Sequence, residues 1–534
     1  MARRVSPFLV PLFLALTACH VAAQPTPSAP PSPTLVVFIT VDQMRADYFQ
    51  RFNGQLIGGL RQLFDESAFF LEGFQDHAIT ETAPGHASTM SGRFPVHTGI
   101  VMNSEGVGTA SSPLIGAPDL GASPFRFKGT TLTDWMKAKQ PEMKFLSVAR
   151  KDRGAILPIG QSKGPVYWYS VNGTFTTSTY YAESLPPWVT AFNARKLPQS
   201  YAGKAWKTLL PARQYVEADS VPIESNGFDY VFPHQVPQLP QEAAAAAAGF
   251  PWMDDITLQL ALAGVNELGL GSTNGRTDLL AVSLSTTDAI GHRFGPDSRE
   301  LHDQILRLDR SLGAFLDSLF KLRGKQQILL ALTGDHGMSP YPDLKSKIYP
   351  NGDAKRVNLN RIWQIHRSRM LDLGVDSSAM GFEEGVFFVR DTKSFRAANV
   401  SYDSVAAEFA ADAMMVQGVM RADLMRDLAK ADTTSDVIAR RWLHVFGPRS
   451  GARMMITLTP FSYWAATNFA THGSPHDSDA HVPVLFWGAG VKPGKYPGYV
   501  RVVDMAPTLA ALLKVTPLER LDGHVLSQAL PVIK

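Results

Sequence analysis

The chain of 534 residues contains a single cysteine, Cys19. No internal disulfide can form, so a large apolar core has to supply the stability. Charge of one sign is scarce as well. Fifty-one Lys and Arg stand against 48 Asp and Glu, a formal net charge of +3. With no Lys/Arg-rich run, that balance implies neither nucleic-acid binding nor attraction to an anionic membrane surface. No apolar run is long enough to span a bilayer, and no internal repeat is visible. What is present is ordinary globular composition, 45% apolar and 19% charged. The length suits one large α/β domain carrying an insertion.

Residues 1–23 read as an export signal. Arg3 and Arg4 give a positive start, and SPFLVPLFLALTA is a short apolar core. Two processing readings stand side by side. Leu16-Thr17-Ala18-Cys19 resembles a lipobox, which would make Cys19 a lipid anchor, and Val21-Ala22-Ala23 resembles an ordinary small-residue cleavage site. Residues 24–34, QPTPSAPPSPT, form a Pro/Ser-rich tether. The expected location is outside the bacterial cytoplasm: periplasmic, anchored at the outer membrane, or secreted.

From residue 35 to 534 strand and helix signals alternate. LVVFITVD, MKFLSVA, DLLAVSLST, QQILLALTG, GVFFVRD, MMITLTP and VPVLFWGAG read as strands. Helical signals lie near 53–66, 254–270 and 504–513, and a long amphipathic helix opens at Asp297-Ser298. The alternation predicts an α/β fold with a mostly parallel central sheet and helices on both faces. Residues 155–250, rich in Tyr, Trp, Pro, Ser and Thr, break the rhythm and read as an inserted cap over the strand ends. The run of alanines at 243–248 is low-complexity, and weaker signals suggest a second insertion near 340–440.

Asp42, Asp288, His292, Asp335, His336 and His472 each sit where an apolar run breaks into a loop. An open α/β sheet builds its site at the carboxyl ends of its strands. Three carboxylates converging there repel unless a cation holds them. Mixed Asp/His ligation suits zinc or a similar divalent ion, and six ligands suffice for two ions. Taken singly, Asp42 could be a turn residue and His292 a surface histidine. Asp288 and His292 share a face if their segment makes a helical turn, and His476 and His481 lie close enough to His472 to leave their own roles open. Thr82, in ITETAPGHASTMSGRFP, precedes a helix start marked by Pro84. It reads either as a helix cap or as a metal-held alkoxide nucleophile, favoured by the helix N-terminus. Lys151-Asp152-Arg153 follows a strand and is either a solvated cluster or a grip on phosphoryl oxygens. Ligands plus hydroxyl point to a phosphoryl-transfer enzyme.

The segments VDQMRADYF, TETAPGHASTMSG, ARKDRGAILPIG, TTDAIGHRFGP, TGDHGM and THGSPHDSDAHVPVLFWG together resemble the alkaline phosphatase superfamily, in particular its PafA-type bacterial enzymes. That resemblance implies one zinc held by Asp42, Asp335 and His336 with Thr82, and a second held by Asp288, His292 and His472. It implies Thr82 as nucleophile, and Asn103, Lys151 and Arg153 as phosphate-binding groups. Related phosphodiesterases lack the Lys-x-Arg, so the expected reaction is hydrolysis of phosphate monoesters through a phosphothreonine. A phosphodiesterase or nucleotide pyrophosphatase of the same superfamily is the alternative. An exported metal- or phosphate-binding protein without catalysis is a further one, and another divalent ion could replace zinc.

Overall fold

The computed structural model describes Met1 and residues 32–344, 354–466 and 468–531. Cys19, the signal segment after Met1 and the tether as far as residue 31 lie outside the described residues. Among the described residues no helix is long and apolar enough to cross a membrane.

The central sheet is built from β1 (Leu35–Val41), β2 (Ala68–Phe74), β3 (Phe145–Ala149), β4 (Val166–Tyr169), β5 (Phe175–Thr176), β6 (Asp278–Leu284) and β7 (Ile328–Gly334). A separate sheet holds β8 (Met380–Glu383), β9 (Val386–Val389), β10 (Val419–Leu424) and β11 (Ala452–Leu458). Then β12 (Val484–Gly488) and β13 (Gly494–Arg501) return to the first. The central order is β13-β2-β12-β7-β1-β6-β3-β4-β5. The middle of it, β7-β1-β6-β3-β4, is parallel throughout, and β12 runs antiparallel to both its neighbours. A mostly parallel sheet is therefore observed.

Strand alternation explains the layering. On β1, Leu35, Val37, Ile39 and Val41 face one core while Val36 and Phe38 face the other. The same split recurs on β6 and β7. One face is covered by α1 (Gly59–Glu66), α4 (Trp252–Glu267), α5 (Thr286–Phe294) and α6 (Arg299–Arg323). The opposite face is covered by α2 (Thr82–Ser91), α3 (Asp152–Ile156) and α7 (Met505–Leu513). The long helix α6 starts where expected: the Ser298 hydroxyl accepts from the Leu301 N–H at 3.1 Å.

Two regions differ in placement from the periodicity alone. GVFFVRD and MMITLTP are strands, but they pair antiparallel in the separate four-stranded sheet with its own core around Phe387, Phe409 and Met454. A short apolar run specifies a buried strand without specifying its neighbours. Residues 155–250 add β4 and β5 to the sheet edge, and Tyr169, Phe192 and Trp206 pack into the α4/α6 core. A cleft beside Asn103, His292 and His472 is lined also from residues 357–360, 382–385 and 464–466.

Candidate metal centre and nucleophile

The strand order brings distant residues together. Because β6 and β7 flank β1, the residues that follow these strands are neighbours. Asp42 leaves β1, Asp335 and His336 leave β7, and Asp288 and His292 lie one turn apart on α5 just after β6. His472 enters from the loop between β11 and β12. Ligand atoms of Asp42, Asp335 and His336 lie within 4.8 Å of one another, and so do those of Asp288, His292 and His472. Among the described residues these are the groups able to hold a metal ion.

Backbone carbonyls orient the three imidazoles. Nδ1 of His292 lies 2.6 Å from Ala470 O, Nδ1 of His336 2.9 Å from Gly337 O, and Nδ1 of His472 2.8 Å from Thr80 O. A carbonyl only accepts, so each Nδ1 carries a proton and Nε2 remains as the ligand atom. The Nε2 atoms of His292 and His472 sit 3.2 Å apart. Two lone pairs at that distance call for a proton or a cation between them. His476 and His481 point their Nε2 at Leu458 O and Leu71 O instead, at 2.8 and 3.0 Å.

The electrostatics fit divalent cations. Asp42 and Asp335 are fully buried and Asp288 is 3% exposed. The Lys151 Nζ lies 2.6 Å from Asp42 Oδ2, 2.6 Å from Asp288 Oδ2 and 3.1 Å from Thr82 Oγ1. One ammonium among three carboxylates leaves negative charge in excess. Asp335 Oδ2 and His336 Nε2 find no hydrogen-bond partner, and neither does Asp42 Oδ1. Burial raises the Asp288 pKa, but Lys151, His292 and His472 outweigh it and hold the carboxyl well below the usual range. Burial lowers His336, yet Asp335 and Asp42 overcome it and push it up to about 9. Burial, with His336 and His292 alongside, keeps His472 well below its ordinary value. A cation entering the Asp42–Asp335–His336 group would displace the His336 proton.

Thr82 is the first residue of α2 and 1% exposed. It makes no capping hydrogen bond; its hydroxyl accepts from Lys151. The hydroxyl therefore does not cap the helix. The next amide, Ala83 N–H, donates to Asn103 Oδ1 at 2.9 Å. That contact occupies the amide oxygen of Asn103 and leaves its NH₂ to donate. The Glu81 carboxylate accepts from Asn103 N–H at 2.6 Å and ties this residue to the helix start. Arg153 is the second residue of α3, whose N-cap is Lys151, with a side chain 28% exposed and Nε without a partner.

Sequence reading missed the supports. Gln43, at a left-handed φ of 64°, donates its N–H to Asp335 Oδ1 at 3.0 Å and its Nε2 to Asp288 Oδ1 at 3.3 Å. His86 bridges Thr82 O (2.9 Å) to Ser283 Oγ (2.8 Å) and lies 3.1 Å from Asp335 Oδ2. Both adjoin the ligand motifs, which is the one signal they carry. Gly85 allows α2 to approach the metal strand: a Cβ there would fall 2.2 Å from Asp335 O.

The description "Type I phosphodiesterase / nucleotide pyrophosphatase" matches residues 36–463. The chain is 33% identical over 524 residues to alkaline phosphatase PhoV of Synechococcus elongatus, covering 93% of each. It is 30% identical to alkaline phosphatase PafA of Elizabethkingia meningoseptica over 91% of this chain and 93% of that protein. The crystal structure of wild-type PafA superposes with a TM-score of 0.86 at 27% identity, covering 94% of this chain and 99% of the other.

Proposed function

The chain belongs to the type I phosphodiesterase / nucleotide pyrophosphatase family, and on that premise we propose that it is an alkaline phosphatase of the PafA kind, a metal-dependent phosphomonoesterase working through a phosphothreonine. The observation that carries this reading is the Thr82 hydroxyl beside two three-residue metal groups, within reach of Lys151. Zinc is the ion assigned to both groups. Asp42, Asp335 and His336 with Thr82 would hold one, and Asp288, His292 and His472 the other. Bound there, two divalent cations supply Lewis acidity for the attacking and leaving oxygens of an in-line displacement.

The side chains of this protein do the rest. Thr82 Oγ1 attacks phosphorus as the ester oxygen departs, and water later cleaves the Thr82–phosphate bond to release inorganic phosphate. His86, donating from Nδ1 to Thr82 O within α2 and accepting at Nε2 from the Ser283 hydroxyl, holds the start of the helix against the sheet. Asn103, positioned by Glu81 and Ala83, donates to a phosphoryl oxygen. Lys151 and Arg153 neutralise the remaining oxygens, which a monoester dianion presents and a diester lacks. Domain boundaries follow the same reading: residues 1–23 form an export signal, 24–34 a tether and 35–534 one phosphatase domain. The enzyme acts outside the cytoplasm, with Cys19 as the point of lipid attachment if the lipobox is used.

The family's own description favours a second reading, hydrolysis of phosphodiesters. Turnover of an aryl phosphate measured against its methyl diester separates the two. The decisive variant is Thr82→Ala. It should lose more than about 10³-fold in kcat while metal analysis still finds both ions. Turnover near that of the parent would remove Thr82 as nucleophile.

A further inference from the structure

We infer that the cleft selects the charge of the leaving group, taking esters of neutral or ammonium-bearing alcohols and turning away alcohols that carry a second anion. The inference rests on the phosphomonoesterase reading. A cleft of about 430 Å³ opens from His292, His472 and Asn103, so whatever alcohol is esterified to a phosphoryl group on Thr82 has to lie in it. Glu81 lines the inner wall, and Glu383 and Glu384 line the outer one. No Lys or Arg is found among the described residues that line it. Glu81 is partly offset by Arg153 and His336, but compensation at the outer wall is loose: Arg390 Nη2 comes only to 4.0 Å of Glu383 Oε2, with both side chains substantially exposed.

Charge is therefore divided by depth. Lys151 lies on the phosphoryl side, against Thr82 and the metal groups, and Arg153 acts on Glu81 at the inner end of the cleft. Carboxylates lie where the alcohol portion leaves. Low-dielectric walls focus such a field along the cleft, so a second phosphate on the alcohol is repelled while an ammonium is attracted. Like-charge placement acts mainly as a penalty against the wrong partner.

Two esters of one length, ethanolamine phosphate and its uncharged isostere propyl phosphate, isolate the ammonium, and propane-1,3-diol bisphosphate supplies the second anion. Assays at about pH 8.5 keep carboxylates ionised and primary ammonium groups protonated. The expected order of kcat/KM is ethanolamine, then propyl, then bisphosphate, with steps of about fivefold each, as for half-exposed ion pairs. Replacing Glu383→Gln and Glu384→Gln together should collapse the spread toward equality. Raising ionic strength to about 1 M should compress it in the unaltered enzyme, a readout independent of whether the double variant folds. Equal rates on all three esters, or a spread untouched by both salt and substitution, would overturn the inference. Failure to hydrolyse even propyl phosphate would instead sink the phosphomonoesterase reading beneath it.

Discussion

Metal removal offers the sharpest measurement on this protein. Three buried carboxylates and three imidazole Nε2 atoms converge, with one ammonium to offset them. A cation that binds only the folded chain adds RT ln(1 + [L]/Kd), about 4 kcal/mol when present at about a thousand times Kd. Unfolding entropy scales at about 2.1 cal/mol/K per residue, so a chain of 534 residues converts that to about 4 °C per ion. Chelation should therefore lower the thermal midpoint by about 8 °C from the zinc-saturated value and abolish turnover. Added zinc should restore both. His292→Ala disrupts one group and leaves Asp42–Asp335–His336 intact. It should retain one ion by metal analysis and about half of the shift. A midpoint indifferent to chelation, with activity persisting, would refute the reasoning outright. Loss of both ions on His292→Ala would refute the division into two groups.

Two more predictions follow from packing and from proton linkage. Gly85→Ala puts a Cβ 2.2 Å from Asp335 O, so α2 has to move off the metal strand. Activity should fall by more than tenfold and stability by about 2 kcal/mol or more, measured by urea unfolding. Gly54→Ala, with nothing within 4 Å of its Cβ, is the control and should change little. Glu224 is 3% exposed, and burial, with Glu300, Asp219 and Asp297 nearby, pushes it up to about 9 from its ordinary value of 4.5. The folded chain therefore keeps a proton that the unfolded chain releases, so this group makes stability fall as pH rises between those two values. Glu224→Gln should flatten that slope and stabilise the enzyme by about 5 kcal/mol at pH 9 relative to its effect at pH 5. An unchanged slope would show that Glu224 ionises freely.

Much of the fold could be read locally. β1, β6 and β7 are apolar runs buried on both faces, and each ends at a residue of the metal groups or at the helix that carries it. Asp288 and His292 share a helical face because they are four apart, a relation visible before any coordinates. The strands GVFFVRD and MMITLTP were legible as strands but not as members of a second sheet, since pairing partners leave no mark on a single run. His472 could not be told from His476 or His481 by spacing. The carbonyls of Thr80, Leu458 and Leu71 separate them, and these lie far off in sequence.

The amino-acid order alone determined the alternating α/β pattern, the strand ends bearing acidic and imidazole side chains, and the helix start that carries Thr82. These are short-range properties: periodicity, propensity and the break of an apolar run. Tertiary structure decided which of those ends meet. Placing β6 and β7 on either side of β1 sets Asp42 and Asp288 against one ammonium, with Asp335 beside Asp42. It also decided what stands over them, since Glu383 and Glu384 come from a sheet whose position relative to the first depends on packing between distant segments. Side-chain chemistry is encoded residue by residue, but the electric field in a cleft belongs to the arrangement of all of them.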